Sequence, residues 1–272
     1  MNKTKIEWCD STWNPITGCL HGCPYCYAER LAKRFGGYQL DSELDSFHTP
    51  RREPLPGEAG ADGLIVLDAP LRHWSGAHGV TNAPYPYDFL PTFHRYRLGE
   101  PARKTRGQTI FVCSMADLFG RWVPTSWILE VLDACTAAPQ HRYLFLTKNP
   151  QRYAELDELA LLPREENFWY GSTATTGDEA MFHSEFHNCF VSIEPIHAPF
   201  GSIDRSALPG IKWYILGAET GNCKDKVVPE RSWVEPVVDF CQKNGKALFM
   251  KSSMAPIWGG DLITEFPWEA ER

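Results

Sequence analysis

The chain has 272 residues, 43% of them hydrophobic and 13% aromatic, enough to bury a sizeable core and to exclude a disordered chain. Its 27 basic and 34 acidic side chains leave a net charge of −7, so no overall basic field draws it to nucleic acid or anionic membranes. No run of about 18 apolar residues occurs and the N-terminus has no apolar leader segment, so a cytoplasmic protein is expected.

In chain order, the Trp-rich segment Ile6 to Thr17 reads as a first strand. It leads into Gly18-Cys19-Leu20-His21-Gly22-Cys23-Pro24-Tyr25-Cys26-Tyr27, a C-x3-C-x2-C loop with an aromatic residue before the third cysteine. Tyr25 to Phe35 reads as a helix, because Ala28, Leu31, Ala32 and Phe35 recur at helical spacing and Glu29 faces Lys33 one turn on. Gly36-Gly37 ends it. From about 38 to 108 the pattern is broken by Pro50, Pro54, Pro56, Pro70, Pro84, Pro86, Pro91 and Pro101, which predicts an irregular inserted lid. Within it Phe93-His94-Arg95-Tyr96-Arg97 alternates aromatic and basic groups, which suits either a surface hairpin or a clamp on a nucleotide.

Short apolar runs follow at Thr109–Cys113, Arg142–Leu146, Phe168–Gly171, Cys189–Ile193, Lys212–Leu216 and Ala247–Met250, with helices expected at Trp127–Ala137 and Trp233–Gln242. Continuous apolar strands alternating with helices predict a parallel sheet buried on both faces. With the first strand this makes an α/β fold of six or seven parallel strands, a partial (β/α)6-like barrel forming one domain over 1–272 with the 38–108 insertion. Each run is followed by polar residues: Ser114 and Asp117, Lys148, Ser172 and Thr173, Ser192 and Glu194, Glu219, then Lys251 and Ser252. In parallel α/β folds ligands bind at the carboxyl ends of the strands. Mixed charge there suits a zwitterionic ligand better than a polyanion. His183 and His187, four residues apart, read as part of a solvated helix, because no companion metal motif accompanies them.

Nine cysteines are an odd number, scattered outside the first loop, which argues for metal ligands and core thiols over a disulfide framework. Cys113, Cys135, Cys189 and Cys241 fall in apolar segments and read as core. Cys223 follows Glu219-Thr220-Gly221 and is a candidate hydrogen-atom donor, with a structural thiol as the default reading. Three thiolates on one short loop can hold three irons of a four-iron cluster and leave the fourth iron open. A zinc site would need a fourth ligand from Cys9, His21 or a distant residue. A redox pair of Cys23 and Cys26 would leave Cys19 unexplained.

The cysteine loop with Tyr25 resembles the signature of radical S-adenosylmethionine enzymes. The resemblance extends over nearly the whole chain to the phage- and bacteria-associated three-cysteine-motif proteins of that superfamily. It is carried by Ile6-Glu7-Trp8, Thr12-Trp13-Asn14-Pro15, the cysteine loop, Ser114-Met115-Ala116-Asp117-Leu118-Phe119, Leu146-Thr147-Lys148, Ser192-Ile193-Glu194-Pro195 and Gly217-Ala218-Glu219-Thr220-Gly221. The resemblance implies an enzyme in which Cys19, Cys23 and Cys26 hold a [4Fe–4S] cluster whose open iron takes the amino and carboxylate groups of S-adenosylmethionine. Reductive cleavage would then give a 5′-deoxyadenosyl radical that abstracts hydrogen from a substrate. Tyr25 would border the adenine, and Ser114, Asp117, Lys148, Ser192, Glu194 and Glu219 would contact cofactor or substrate. A flavodoxin- or ferredoxin-type electron donor and a small-molecule or nucleotide substrate are the implied partners, with local nucleic-acid contact possible through the insertion. The competing expectation is a non-enzymatic binding module stabilised by zinc.

Overall fold

The computed structural model describes residues 1–36, 50–53, 64–200, 210–220 and 226–269. Two compact units divide the chain, Met1–Tyr143 and Leu144–Arg272. The protein is mixed α/β, and the strands of its large sheet pair mostly in parallel. Among the described residues no helix is long and apolar enough to cross a membrane.

The first unit opens with β1 (Asn2–Lys3), β2 (Ser11–Trp13) and β3 (Ile16–Thr17), followed by helix α1 (Tyr27–Phe35). The single strand expected over Ile6–Thr17 is thus two strands. Pro15 has no N–H to donate to a ladder, and the chain changes sheets on either side of it. β2 pairs in parallel with β9 (Thr109–Val112), Trp13 opposite Val112, while β1 lines β2 antiparallel. β3 joins a second sheet of order β3-β8-β5-β4, with β4 at Arg51–Glu53, β5 at Leu64–Leu67 and β8 at Thr92–His94.

The described part of the 38–108 insertion therefore carries ordered strands rather than an irregular lid. The prolines punctuate these strands instead of preventing them: Pro50 precedes β4, Pro70 follows β5 and Pro91 precedes β8. All four residues of β5 are buried, and Leu71 packs with Ile65 and Leu67. A hairpin of β6 (Arg72–Trp74) and β7 (Val80–Asn82) completes the insertion's described strands, and helix α2 (Thr125–Thr136) buries Trp127, Ile128, Val131, Leu132 and Cys135.

Helix α1 is turned the other way from its apolar pattern. Its buried residues are Ala28 and Ala32, whereas Leu31 and Phe35, expected on the core face, are 37% and 46% exposed. Its buried face is methyl-sized.

Strand β10 (Arg142–Thr147) spans the boundary between the units. The second unit contains α3 (Gln151–Glu158), β11 (Phe168–Ala174), β12 (Asn188–Ile193), β13 (Ile211–Leu216), α4 (Arg231–Asn244) and β14 (Ala247–Met250). β11, β12, β13 and β14 pair in parallel in that order, as continuous apolar runs require. α4 ends at Gly245 in the left-handed conformation and holds Pro236 inside it. A C-terminal strap returns along β14: Met250 N–H donates to Ile263 O at 2.7 Å, and Glu265 N–H donates to Leu248 O at 2.8 Å. Trp213, Phe249, Phe266 and Trp268 pack together beneath it. His183 and His187 are not on a helix. His183 is exposed in irregular chain, and His187 is buried against Tyr170 and Phe182.

Candidate functional site

In the first unit the cysteine loop is fixed by its backbone. Gly18 sits at φ +87°, where a side chain is strained, and a Cβ there would stand 2.7 Å from Phe89 O. Gly18 N–H donates to Met115 O at 3.0 Å and Cys19 N–H to Phe89 O at 3.3 Å, so the loop enters between two other segments. Cys26 N–H donates to Cys23 O at 3.0 Å, which turns the loop into the helix. Cys26 is then the N-cap of α1, its Sγ accepting from Glu29 N–H at 3.4 Å.

The three thiols share one environment. Burial pushes the Cys19 thiol up to about 12, opposed by a hydrogen bond from the His21 backbone, and Asp117, Cys26 and Cys23 all lie close enough to push it further. His21, the other ligand-type residue between Cys19 and Cys26, is held by two contacts: Nε2 is 2.7 Å from Asp117 Oδ2, and the ring meets Trp122 edge-on. Asp117 is buried, and its other oxygen accepts from Phe119 N–H at 3.0 Å. Cys113, one residue past β9, sits at φ 58° and starts the turn that carries Ser114 and Asp117.

Asn14 is a site residue that the sequence reading missed. Its Oδ1 accepts from Ser114 Oγ and Met115 N–H, both at 3.1 Å, and its backbone carbonyl accepts from Arg97 Nη1 at 3.0 Å. The signal was its place beside Pro15, at the break between β2 and β3. Tyr27 Oη donates to Ser114 O at 2.6 Å, tying α1 to the same turn. Tyr25 is half-buried, and its carbonyl accepts from Arg30 Nη2 at 3.3 Å.

Among the described residues no three His, Cys, Asp or Glu side chains surround one point as a single ion requires. A four-iron cube instead takes each thiolate on a different iron. Three thiols on one clamped loop, with His21 engaged elsewhere, are a donor set that fits such a cluster.

The rings and charges of the basic–aromatic run are engaged within the chain. Phe93 and His94 are fully buried, and Arg95 holds Glu130 through Nε at 2.8 Å and Nη2 at 2.9 Å. Arg97 lies over Tyr96 while donating to Asn14. These charges are satisfied internally.

The second unit gathers its own polar groups at the strand ends. Lys251 Nζ, just past β14, hydrogen-bonds Glu194 Oε1, just past β12. Gly217 lies against the same carboxylate: a Cβ there would be 2.9 Å from Glu194 Cδ, so the position accepts no side chain without moving Glu194. Ile196 N–H donates to Gly217 O at 3.2 Å, and Ala218 N–H donates to Ser253 Oγ at 3.1 Å. His197, also absent from the sequence reading, brings Nε2 within 3.7 Å of Glu219 Oε2. Ser192 is fully buried within β12, and Lys148 is half-buried one residue past β10. The structure thus joins Glu194 with Lys251 and Glu219 with His197. Cys223 lies outside the described residues. The remaining core-thiol expectations hold: Cys113, Cys135, Cys189 and Cys241 are buried, and burial drives each thiol upward.

No curated protein and no solved structure matches the chain. A family model described as a protein of unknown function (DUF5131) matches residues 3–59 and 72–260, taking in the cysteine loop and the polar strand ends of the second unit. The chain belongs to the DUF5131 family.

Proposed function

We propose that the chain is a radical S-adenosylmethionine enzyme whose Cys19, Cys23 and Cys26 hold a [4Fe–4S] cluster. The observation that carries this reading is the clamped loop itself, whose backbone is held by Met115 and Phe89 and whose Cys23 and Cys26 lie close to Cys19, with the one histidine among them bonded to Asp117. When bound, the cluster and S-adenosylmethionine supply hydrogen-atom abstraction by a 5′-deoxyadenosyl radical. The chain's own groups hold and orient. Asn14, Ser114 and Tyr27 brace the loop, and Asp117 holds the His21 ring through Nε2. In the second unit Lys251 offers an ammonium donor, and Glu194 and Glu219 offer carboxylate acceptors, a mixed-charge set at that unit's own strand ends. Closure of the parallel strands into a partial (β/α)6-like barrel is part of this proposal, supported by the polar groups gathered at their carboxyl ends. The Phe93–Arg97 segment gives no support to a nucleotide substrate, and the proposal stops at the hydrogen-abstraction class.

Anaerobic reconstitution tests it. The expected product carries about four irons and four sulfides per chain, absorbs in the visible, and yields 5′-deoxyadenosine from S-adenosylmethionine under dithionite. Cys23→Ala is expected to abolish that yield while keeping the fold, because the loop lies outside the apolar core. Stoichiometric zinc without visible absorption would replace this reading with the zinc-stabilised module.

A further inference from the structure

The second unit brings a hydroxyl, an imidazole and a carboxylate into sequence at the entry of β12, whereas Glu194 lies past the exit of that strand. Ser184 and His187 belong to the irregular chain that enters β12 at Asn188, and Asp157 lies in the last turn of α3. Ser184 Oγ is 3.0 Å from His187 Nδ1, and His187 Nε2 is 3.6 Å from Asp157 Oδ1. The partners assign the tautomer. Nε2 faces two acceptors, the Asp157 carboxylate and the Leu162 carbonyl, so it carries the ring proton. Nδ1 is then bare and accepts the proton of the Ser184 hydroxyl, whose oxygen in turn accepts from Phe186 N–H at 3.1 Å. The His187 side chain is fully buried, and the Tyr170 and Phe182 rings meet it edge-on and hold its plane. Burial, with Arg164 nearby, keeps the imidazole below the ordinary value of 6.5 against the pull of Asp157, so it is neutral and basic at pH 7. The serine is fixed from the other side as well, because a Cβ at Gly210 would collide with the Ser184 backbone. Arg164 Nη2 bonds Asp157 Oδ1 at 3.1 Å, which anchors the carboxylate.

We infer that Ser184 is a nucleophile activated by His187, with Asp157 orienting the imidazole, and that this second site hydrolyses small esters of an apolar acyl group. A hydroxyl within hydrogen-bond reach of a base that a third group orients is the arrangement that makes serine reactive. Ser184 is half-buried, open enough to be reached, while the base behind it is shielded from water. Ser184 Oγ attacks the ester carbonyl as its proton passes to His187 Nδ1. The bond to the alcohol oxygen then breaks, and Nδ1 returns the proton to that oxygen. Water attacks the acyl-serine by the same route, giving the carboxylic acid and the free hydroxyl, with no change of oxidation state. Phe186, two residues on and 68% exposed, offers its ring to the acyl group. Between them Glu185 is exposed, and its carboxylate repels a phosphate ester. The inference is independent of what the cysteine loop holds.

The test uses the full chain, a fluorophosphonate probe with peptide mapping, and p-nitrophenyl butyrate. The probe is expected to lose fluoride and leave one phosphonyl group on Ser184. Release of nitrophenolate is expected to fall about a hundredfold in Ser184→Ala and in His187→Gln. Ser232→Ala, at an exposed serine of α4, is expected to label and hydrolyse as the parent does. Asp157→Asn is expected to slow hydrolysis and to move the acid limb of the pH–rate profile to lower pH, because the carboxylate that favours the imidazolium is gone. Asp157→Glu is expected to restore part of the rate. Should His187→Gln not fold, Ser184→Ala and the mapped label decide alone. No label on the parent chain, a label on another residue, or parental hydrolysis by Ser184→Ala overturns the inference. An unmoved acid limb in Asp157→Asn overturns the orienting role of Asp157.

Discussion

At Gly217 an added methyl group would stand 2.9 Å from Glu194 Cδ, and Glu194 is the carboxylate that Lys251 holds. Gly217→Ala is therefore expected to push Glu194 out of that pair. If Glu194 accepts from S-adenosylmethionine as proposed, a lost charged hydrogen bond of about 1.5–3 kcal/mol would raise the cofactor's dissociation constant by about tenfold or more. Combining Gly217→Ala with Glu194→Gln should cost little beyond either alone; additive losses would show that the two positions act separately. Asp117 offers a second residue-scale test. Asp117→Asn replaces a charged acceptor for His21 with a neutral one, and the loop should release iron to a chelator several-fold faster. An unchanged release rate would remove Asp117 from the bracing of the loop. The cysteine loop stands out in the sequence because its spacing is local. The bonds of Asn14 and His21 do not, since their partners lie 100 and 96 residues away and no local pattern marks such pairs.

Among the elements, β8 shows most directly how tertiary burial reassigns a sequence pattern. Phe93-His94-Arg95 reads as aromatic and basic groups alternating on a surface, yet β8 pairs on both sides, with β3 and β5, and is buried throughout. His94 Nε2 lies 2.8 Å from Thr17 Oγ1, and burial, with Arg97 nearby, holds its imidazole well below the ordinary value of 6.5. The sign of the consequence is fixed. The unfolded chain takes up this proton below pH 6.5 and the folded chain does not, so stability is full above that pH and falls as the solution is acidified. The slope is up to about 1.4 kcal/mol per pH unit for the one group. Urea titrations of the parent and of His94→Gln across that range are expected to diverge below pH 6.5, the variant losing less on acidification; parallel curves would contradict the assignment. The strands from Thr109 onward were legible because continuous apolar runs leave few alternatives. The reversal of α1 was not, because Leu31 and Phe35 share one apolar spacing with Ala28 and Ala32, and the pattern does not say which side packs.

Across the molecule, burial shifts a set of thiols in one direction. Cys9, Cys19, Cys113, Cys189 and Cys241 are each pushed up to about 12 from 9.0, chiefly by burial. The folded chain then keeps protons that the unfolded chain releases above pH 9.0, so the metal-free protein is expected to lose stability steeply on alkalinisation. Denaturant midpoints that stay level from about pH 8 to about pH 10.5 would refute this. Division into two units was not legible, because β10 crosses the boundary as one unbroken apolar run. Cys26 carries a last implication. Its sulfur is the footing on which α1 stands, so a negative thiolate bonded to metal grips the Glu29 amide harder than a neutral thiol does. Filling the loop should slow hydrogen exchange at that amide, so the first turn of α1 would be firmest when the loop is occupied.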